Sequence, residues 1–183
     1  MEVIETEIEG IKIIRPNIFR DNRGYFFESY SQRKFEEEVC KTVFVQDNES
    51  CSQYGVLRGL HFQKPPFAQA KLVSVIKGKI LDIAVDIRKD SSTFGKHVAV
   101  ELSNENKLQI FIPQGFAHGF IVLSKEAIFQ YKCDNYYFPS HAEGIKWDDE
   151  QLNINWRLPV EDIILSEKDK INPSFRQLFI PQD

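Results

Sequence analysis

One short segment of the sequence combines a permanent cation with a side chain that titrates near neutral pH. Within residues 56–63 an apolar run is interrupted by Arg58, Gly59 and His61. An imidazole can take up or release a proton at neutral pH, which suits acid–base chemistry. Arg and His are costly to bury without partners, so the segment either lines a solvent-filled pocket or ties Arg58 and His61 to carboxylates elsewhere in a sheet. The first alternative makes it a candidate active site.

Other candidate residues also allow a structural interpretation. Lys71 shares one face of a predicted strand with two valines, and its ammonium group either reaches solvent at the strand end or points into a pocket. Tyr131 lies in another predicted strand, where it is either a core aromatic with its hydroxyl hydrogen-bonded or a proton donor. Arg23 and Glu28 flank an aromatic strand, and residue types alone favour a solvated turn charge and an edge-strand charge.

The composition predicts a packed globular protein. The 183 residues are 42% hydrophobic and include 15 Phe, enough to bury a sizeable core in one domain spanning residues 1–183. The net charge of −4 argues against nucleic acid or a membrane surface as the partner, but leaves room for a local basic pocket that binds a phosphorylated small molecule. Three cysteines without a C-x-x-C spacing predict free thiols, and no segment is long and apolar enough to cross a bilayer. We therefore expect a cytoplasmic protein.

The elements that must position these residues are mostly strands. Many short strands separated by turn residues predict an all-β fold, an antiparallel sandwich or jelly roll with a few short helices. Residues 1–14 alternate apolar and polar positions as edge strands do, and such strands often pair with a second copy of the chain. An aromatic strand is expected over Tyr25–Tyr30, and helices over Ser31–Cys40 and from Ser166.

Two more predictions concern neighbouring elements. Val43–Val45 should form a strand, and the polar residues Gln46–Ser50 should form either a loop or a hydrogen-bonding edge suited to a sugar or a base. Lys71–Ile76 and Lys79–Ile87 should form a hairpin across Lys77-Gly78, because two alternating segments flank a turn-forming glycine.

The spacing of glycine and histidine resembles the two sequence signatures of the cupin family of small β-barrels. Five residues separate Gly55 from His61, and Pro113-x-Gly115-x-x-His118 follows far downstream. Metal-binding cupins carry a second His two positions after the first and a Glu soon afterwards, but Gln63 stands at the His position and no Glu follows where it is expected. Two histidines alone would leave a divalent ion under-coordinated. The resemblance therefore implies a cupin-like antiparallel β-barrel without metal, and we expect no cofactor.

A narrower resemblance rests on motifs that occur in a fixed order from about Ile11 to Asp169. They are Gln46-Asp47-Asn48, Arg58-Gly59-Leu60-His61-Phe62-Gln63, Lys71-Leu72-Val73, Asp86-Ile87-Arg88, Ile112-Pro113-x-Gly115-Phe116-Ala117-His118-Gly119-Phe120 and Tyr131-Lys132. Together they resemble the dTDP-4-dehydrorhamnose 3,5-epimerase family. The resemblance implies inversion of C3 and C5 of dTDP-4-keto-6-deoxy-D-glucose, giving dTDP-4-keto-L-rhamnose for dTDP-L-rhamnose biosynthesis.

The resemblance also implies catalytic roles. A ketone acidifies the hydrogens on both neighbouring carbons, so each inversion needs a base on one face of the ring, an acid on the other and a donor at the ketone oxygen. In the family pattern His61 is the base, Asp169 orients and stabilises its imidazolium form, Lys71 lies near the ketone oxygen and Tyr131 is the acid. For Asp169 the residues alone also allow a helix capping box that begins at Ser166.

Substrate-binding residues are implied in the same way. Arg23, Arg58 and Lys168 match positions around the diphosphate, where cationic groups suit phosphate oxygens. Tyr137 matches the aromatic residue that stacks on thymine. The positions that contact sugar or base are Glu28, Gln46, Asp47, Asn48, His118 and Glu143. In the family the N-terminal segment of one subunit completes its neighbour's pocket, so Arg23 and Glu28 imply a homodimer with exchanged N-terminal strands.

Two alternatives to this activity stay open at this stage. A related enzyme could invert only one carbon of a similar nucleotide-linked 4-keto-6-deoxy sugar. A catalytically silent sugar-nucleotide binding module would have lost His61, Lys71 or Tyr131, and all three are present. A metal-dependent cupin oxygenase is disfavoured by Gln63 and the missing Glu.

Overall fold

The structure is a computed structural model that describes residues 1–180, so the last three residues of the predicted domain lie outside the described part. Its strands are β1 (Glu2–Glu5), β2 (Lys12–Arg15), β3 (Phe19–Asp21), β4 (Gly24–Phe26), β5 (Gln46–Gln53), β6 (Leu57–Gln63), β7 (Lys71–Lys77), β8 (Lys79–Asp86), β9 (His97–Ser103), β10 (Gln109–Ile112), β11 (Phe116–Val122), β12 (Glu126–Cys133) and β13 (Ala142–Gly144). Its α-helices are α1 (Gln32–Glu38), α2 (Glu167–Lys170) and α3 (Phe175–Phe179), and short 3₁₀ turns occupy Pro139–His141 and Val160–Asp162. None of the helices in residues 1–180 has the length and apolar character that a membrane span requires.

The strands form two large antiparallel sheets, which confirms the predicted all-β fold. One sheet has the order β1-β2-β10-β7-β12-β5 and the other β13-β6-β11-β8-β9, while β3 and β4 form a separate hairpin. A buried apolar cluster draws members from both sheets, including Val73 and Phe129 of the first and Ala84 and Phe120 of the second. The cluster therefore packs the two sheets face to face.

Chain segments also cover the outer faces of the sheets. On the outside of the five-stranded sheet, Leu81 and Ile83 of β8 pack in a cluster with Trp156 and Phe175 from the C-terminal part of the chain. Burying a large apolar side chain of this kind stabilises the folded state by roughly 1.5–3 kcal/mol. The same C-terminal part carries α2, so this packing fixes the position of the residues on that helix.

The hairpin predicted across Lys77-Gly78 is wrong. Strand β7 pairs with β10 and β12, whereas β8 pairs with β9 and β11 in the other sheet. The chain changes sheets at Gly78, whose φ of +79° and lack of a Cβ allow a close approach to the carbonyl oxygen of Glu126. Both β7 and β8 are interior strands of their sheets. The prediction failed because alternating apolar and polar residues indicate a strand but do not show which strands it pairs with.

The strand predicted over Val43–Val45 is also wrong, since the strand is the polar segment Gln46–Gln53 that follows. β5 is the edge of the six-stranded sheet, and among residues 1–180 its one partner strand is β12. An edge strand exposes much of its surface, so it can consist of polar residues. The alternative of a hydrogen-bonding edge therefore describes this segment better than a loop. Similarly, the aromatic strand predicted over Tyr25–Tyr30 ends at Phe26.

Strand β8 ends at a buried carboxylate. Asp86 is fully buried and pairs with Arg88 at 2.7 Å, and Ser91 and Thr93 donate to it at 2.6 and 2.7 Å. Burial alone would raise the pKa of Asp86, but the hydrogen bonds from these three side chains lower it to about 2. This cluster fixes the turn after β8, next to the start of β11.

The helices agree with the sequence in part. Helix α1 lies within the predicted range and buries Phe35, although Ser31 makes no side-chain cap hydrogen bond. Helix α2 follows Ser166, whose hydroxyl accepts a hydrogen bond from the Asp169 amide. Helix α3 was not predicted, and its first amide, at Phe175, donates to Asp149 at 2.7 Å.

Candidate active site

A cavity of about 560 Å³ lies between the two sheets near the end of β6. It contains all four predicted catalytic residues and six of the predicted binding residues. These are His61, Lys71, Tyr131 and Asp169, together with Asn48, Arg58, His118, Tyr137, Glu143 and Lys168. The polypeptide segments that supply them are scattered along the chain, so the cavity is formed by the tertiary fold.

His61 and Asp169 form a hydrogen-bonded pair at one side of the cavity. His61 Nε2 lies 2.6 Å from Asp169 Oδ1, and the His61 side chain is 41% exposed while that of Asp169 is only 4% exposed. The imidazole therefore reaches the cavity and the carboxylate supports it from behind. Burial would raise the pKa of Asp169, but hydrogen bonds from His61, Ser166 and Asn172 hold it below its ordinary value, so the carboxylate stays ionised.

Helix capping and the His61 contact coexist at Asp169. Its backbone amide donates to Ser166 Oγ at 3.1 Å, which caps α2, while its side chain is directed to His61. Only the Ser166 half of the capping box that the sequence allows is formed, because the Asp169 side chain that would complete it contacts His61 instead. The cap thus helps to fix the carboxylate that the imidazole contacts.

Glycine allows the strand that carries His61 to approach its neighbour closely. Gly59 of β6 has φ +137°, and a Cβ at this position would lie 2.5 Å from the Cα of Gly119 in β11. The β6–β11 register shifts here, between His118 and Phe120, and His61 faces His118 across the two strands. Two imidazoles from adjacent strands therefore lie beside one another in the cavity wall.

His118 has its own buried carboxylate. His118 Nε2 lies 2.8 Å from Asp82 Oδ2, and Asp82 is completely buried on β8. Burial lowers the pKa of His118, and nearby Lys71 and His61 lower it further, although Asp82 acts in the opposite direction. His118 is therefore held neutral, and because its Nε2 donates to Asp82, its Nδ1 is left as a hydrogen-bond acceptor for a substrate.

Lys71 and Tyr131 enter the cavity from the opposite sheet. They lie on the paired strands β7 and β12, and Lys71 Nζ is 5.9 Å from the centroid of the Tyr131 ring. Burial raises the pKa of Tyr131, with Cys133 and Tyr137 adding to the effect and Arg58 opposing it, so the phenol keeps its proton. Burial lowers the pKa of Lys71, while Cys133 and Asp82 oppose the shift.

The outer part of the cavity carries cationic and aromatic side chains. The Arg58 guanidinium donates to Ser52 Oγ through Nε and one terminal nitrogen, both at 3.2 Å. Tyr137 is 56% exposed at the rim, where a flat ring can stack on a ligand. Lys168 lines the same region, and Glu143 pairs with Lys64 at 2.8 Å.

Four predicted binding residues do not line this cavity. Arg23 lies on the exposed β3–β4 turn and pairs with Asp21, and Glu28 pairs with Lys34 at 2.7 Å. Asp47 pairs with Lys132 at 3.0 Å.

Gln46, the fourth of these residues, lies behind the cavity wall. Its Oε1 accepts a hydrogen bond from the Tyr137 amide at 3.2 Å, and its Nε2 donates to Asn48 at 3.0 Å. Gln46 therefore contacts two cavity residues through hydrogen bonds.

Sequence reasoning missed Asp82 and Ser52 as parts of the site. Asp82 alternates with leucine and isoleucine on β8, which is typical of a solvent-facing position, yet both faces of β8 are buried. Within residues 1–180, no group of three or more His, Cys, Asp or Glu side chains is arranged to hold a metal ion.

Comparisons with known proteins agree on one family. The family model described as dTDP-4-dehydrorhamnose 3,5-epimerase matches residues 5–177. The chain is 55% identical over 170 residues to the dTDP-4-dehydrorhamnose 3,5-epimerase of Shigella flexneri, covering 92% of this chain and 93% of the relative.

Solved structures give the same result. The dTDP-4-dehydrorhamnose 3,5-epimerase of Elizabethkingia anophelis superposes with a TM-score of 0.94 at 52% identity, covering 98% of each chain. The dTDP-6-deoxy-D-glucose-3,5-epimerase of Legionella pneumophila, solved in complex with dTDP-4-keto-L-rhamnose, superposes with a TM-score of 0.93 at 49% identity, covering 97% of this chain and 94% of that one.

Proposed function

The chain belongs to the dTDP-4-dehydrorhamnose 3,5-epimerase family, and from that premise we propose how its residues divide the reaction between them. The resemblance expected from the sequence motifs is confirmed. The protein is an isomerase that acts on a nucleotide-linked sugar, inverting C3 and C5 of dTDP-4-keto-6-deoxy-D-glucose to give dTDP-4-keto-L-rhamnose. The roles of individual residues are our proposal.

The observation that carries the proposal is the opposition of His61 and Tyr131 across one cavity. His61 lies on the five-stranded sheet and Tyr131 on the six-stranded sheet, and both line the same space. Inverting a carbon requires removal of a proton from one face of the ring and delivery of a proton to the other. A base and an acid on facing sheets provide that arrangement.

His61 acts as the base, with Asp169 as its supporting carboxylate. When the imidazole takes the proton from C3 or C5, the C–H electron pair moves into the ring and forms an enolate with the C4 ketone. The resulting imidazolium lies 2.6 Å from an ionised, buried carboxylate, which stabilises the positive charge. The same arrangement serves the second carbon once the ring has turned, His61 has released its proton to solvent and Tyr131 has taken one from solvent.

Lys71 stabilises the enolate oxygen, and Tyr131 delivers the new proton. A preorganised positive charge beside the developing oxyanion lowers the barrier to proton removal. Neutral His118 lies in the same cavity, and because its Nε2 donates to Asp82, its Nδ1 can accept a hydrogen bond from a sugar hydroxyl. Tyr131 keeps its proton at neutral pH because burial raises its pKa, so it can release this proton to the enolate carbon from the face opposite His61.

The nucleotide occupies the outer part of the cavity in this proposal. Arg58 and Lys168 bind the diphosphate, and Tyr137 stacks on the thymine. The edge strand β5 contributes a polar contact through Asn48, which lines the cavity, and Gln46 supports Asn48 and Tyr137 through hydrogen bonds, while Asp47 lies outside the lining and pairs with Lys132. Glu143 is the remaining polar contact at this end.

A second copy of the chain supplies Arg23 and Glu28. Neither residue lines the main cavity of its own chain, and the β3–β4 hairpin beside Arg23 exposes two large aromatic residues, Phe19 at 66% and Phe26 at 70%. Exposed aromatic residues on a projecting hairpin favour contact with another protein surface. We infer a homodimer in which this hairpin completes the neighbouring site. The thiols of Cys40, Cys51 and Cys133 are all unbridged, which supports a reducing compartment such as the cytoplasm.

Proton exchange in deuterated water tests the reaction. The protein is incubated with dTDP-4-keto-6-deoxy-D-glucose in D₂O, and NMR follows deuterium at C3 and C5. Exchange at both carbons with formation of the L-configured product is expected, and His61→Ala should abolish exchange at both. Exchange confined to one carbon would instead indicate a single-carbon epimerase, and undiminished exchange in the His61 variant would remove that residue from the mechanism.

Complementation between two inactive variants tests the dimer. His61→Ala and Arg23→Ala chains are co-expressed, so that about half of the dimers are hybrids. If Arg23 acts on the neighbouring site, each hybrid has one intact site and the mixture regains about a quarter of wild-type activity. If Arg23 acts within its own chain, no site is intact and the mixture stays as inactive as its components.

A further inference from the structure

Gln63 is buried and fully hydrogen-bonded, although it stands where metal-binding cupins place a histidine. Its side chain is 8% exposed and lines the main cavity two residues after His61. Its Nε2 donates to the carbonyl oxygens of Phe67 at 2.6 Å and Tyr136 at 3.1 Å, and its Oε1 accepts from the Phe138 amide at 2.7 Å. One carboxamide therefore connects β6 to two separate loops.

The loop that carries Tyr137 is held by side-chain amides. The amides of Tyr136, Tyr137 and Phe138 donate to side chains of Asn135, Gln46 and Gln63 respectively. Within residues 1–180, this stretch belongs to none of the strands. The order of the loop therefore depends on these carboxamide groups.

Gln63 also fixes the aromatic contact beneath the loop. The rings of Phe67 and Phe138 stack with centroids 3.7 Å apart, and the Gln63 carboxamide binds one backbone group of each of these residues. Removing the carboxamide would leave three backbone groups without their partner, and two of them belong to the residues on either side of Tyr137. Burying such groups unpaired is unfavourable, so the loop would rearrange.

We infer that Gln63 is a positioning residue that sets the distance between the reacting centre and the nucleobase. It connects the strand of His61 to the loop of Tyr137. The sugar can therefore contact His61 while the thymine stacks on the Tyr137 ring. This inference rests on the proposed function, because it takes Tyr137 as the stacking residue. Gln63 does not touch the reacting carbons, and its effect is on the affinity for the nucleotide.

The test compares Gln63→Met with a matched control, Asn106→Leu. Met has nearly the size of Gln but cannot make the three hydrogen bonds. Asn106 also binds three backbone groups, those of Ser103, Leu108 and Glu101, and it lies outside the lining of the main cavity. If the loss of any three hydrogen bonds weakened dTDP binding, both variants would bind dTDP less tightly. If the loss of loop order next to Tyr137 is the cause, only Gln63→Met would do so.

Binding of dTDP is measured by calorimetry, and kcat and KM are measured with dTDP-4-keto-6-deoxy-D-glucose. Each loop residue that must be reordered on binding weakens affinity by about tenfold, so Gln63→Met should raise Kd and KM by roughly 10- to 100-fold while kcat stays within about twofold. Amide hydrogen exchange in residues 134–138 should accelerate in this variant. Asn106→Leu should leave Kd, KM and this exchange unchanged.

Tyr137→Ala distinguishes failure of the proposed stacking role of Tyr137 from failure of the positioning role of Gln63. If Tyr137→Ala does not weaken dTDP binding, the stacking role in the proposed function is wrong. If Tyr137→Ala weakens binding but Gln63→Met does not, the positioning role of Gln63 is wrong. With both correct, Gln63→Met should add little to Tyr137→Ala in the double variant. Should Gln63→Met fail to fold, Gln63→Glu, which keeps the size and the acceptor but loses both donors, decides the question by the same measurements.

Discussion

Replacing Asp169 by Asn should slow epimerisation without preventing substrate binding. The side chain is 4% exposed and lies 2.6 Å from His61 Nε2, so the carboxylate in this short hydrogen bond is shielded from water. A hydrogen bond to a charged group contributes about 1.5–3 kcal/mol. Since about 1.4 kcal/mol corresponds to a tenfold change in rate, kcat should fall by roughly 10- to 150-fold.

The assay follows deuterium entry at C3 and C5 of the substrate by NMR, with dTDP affinity measured separately. Ser166→Ala is the control for the helix, because it removes the cap on the Asp169 amide and one hydrogen bond to the carboxylate but keeps the carboxylate and its contact with His61. This control should lower the free energy of unfolding by about 1 kcal/mol and change kcat much less than Asp169→Asn does.

A double variant tests whether Asp169 acts through His61. If it does, adding Asp169→Asn should leave unchanged the background exchange rate that His61→Ala shows on long incubation, because the imidazole that the carboxylate supports is already absent. A kcat for Asp169→Asn within twofold of wild type, or fully additive losses in the double variant, would refute the dyad.

Three further predictions concern other buried groups. Lys71→Met should lower kcat by about 10²- to 10³-fold. Because burial lowers the pKa of Lys71, wild-type kcat should fall at a pH below that at which an ordinary lysine deprotonates, and Lys71→Arg, whose charge does not titrate, should lack this decline. Tyr131→Phe should still allow deuterium exchange by His61 but reduce product formation by about 10²-fold or more, and full turnover in NMR assays would argue against Tyr131 as the acid. Asp86→Asn should lower the free energy of unfolding by about 1.5–3 kcal/mol at pH 7. The pKa of Asp86 is lowered to about 2 in the folded state, so its contribution is present above about pH 4 and is lost as the pH falls toward 2. The difference between wild type and variant in urea unfolding should therefore narrow between pH 5 and pH 3, and a constant difference would contradict this account.

The sequence predicted the class of fold because strand alternation and turn residues are local signals. It failed where pairing depends on distant partners. β7 and β8 are adjacent in the chain and both alternate, yet each pairs with strands of a different sheet. The segment Gln46–Gln53 was too polar to be predicted as a strand because its position at the edge of the sheet, beside β12, is set by the tertiary fold.

The candidate site followed a similar pattern. The motifs pointed to His61, Lys71 and Tyr131, and the structure places all three in one cavity. Asp82 was overlooked because alternation on β8 is typical of a strand with one solvent-facing side, and the burial of both faces depends on the second sheet and the C-terminal segment. Gln63 was considered only as a missing metal ligand, since its backbone partners near residues 67 and 136–138 cannot be identified without coordinates.

The separation of the dyad along the chain has a consequence for biosynthesis. His61 and Asp169 are 108 residues apart, and Asp169 comes after the last strand of either sheet. Ribosomes add residues from the N-terminus onward, so a nascent polypeptide can have the strands of both sheets outside the exit tunnel while Asp169 is still inside it. We therefore expect translation that stops just after Gly144 to yield a chain without epimerase activity, even if its sheets assemble.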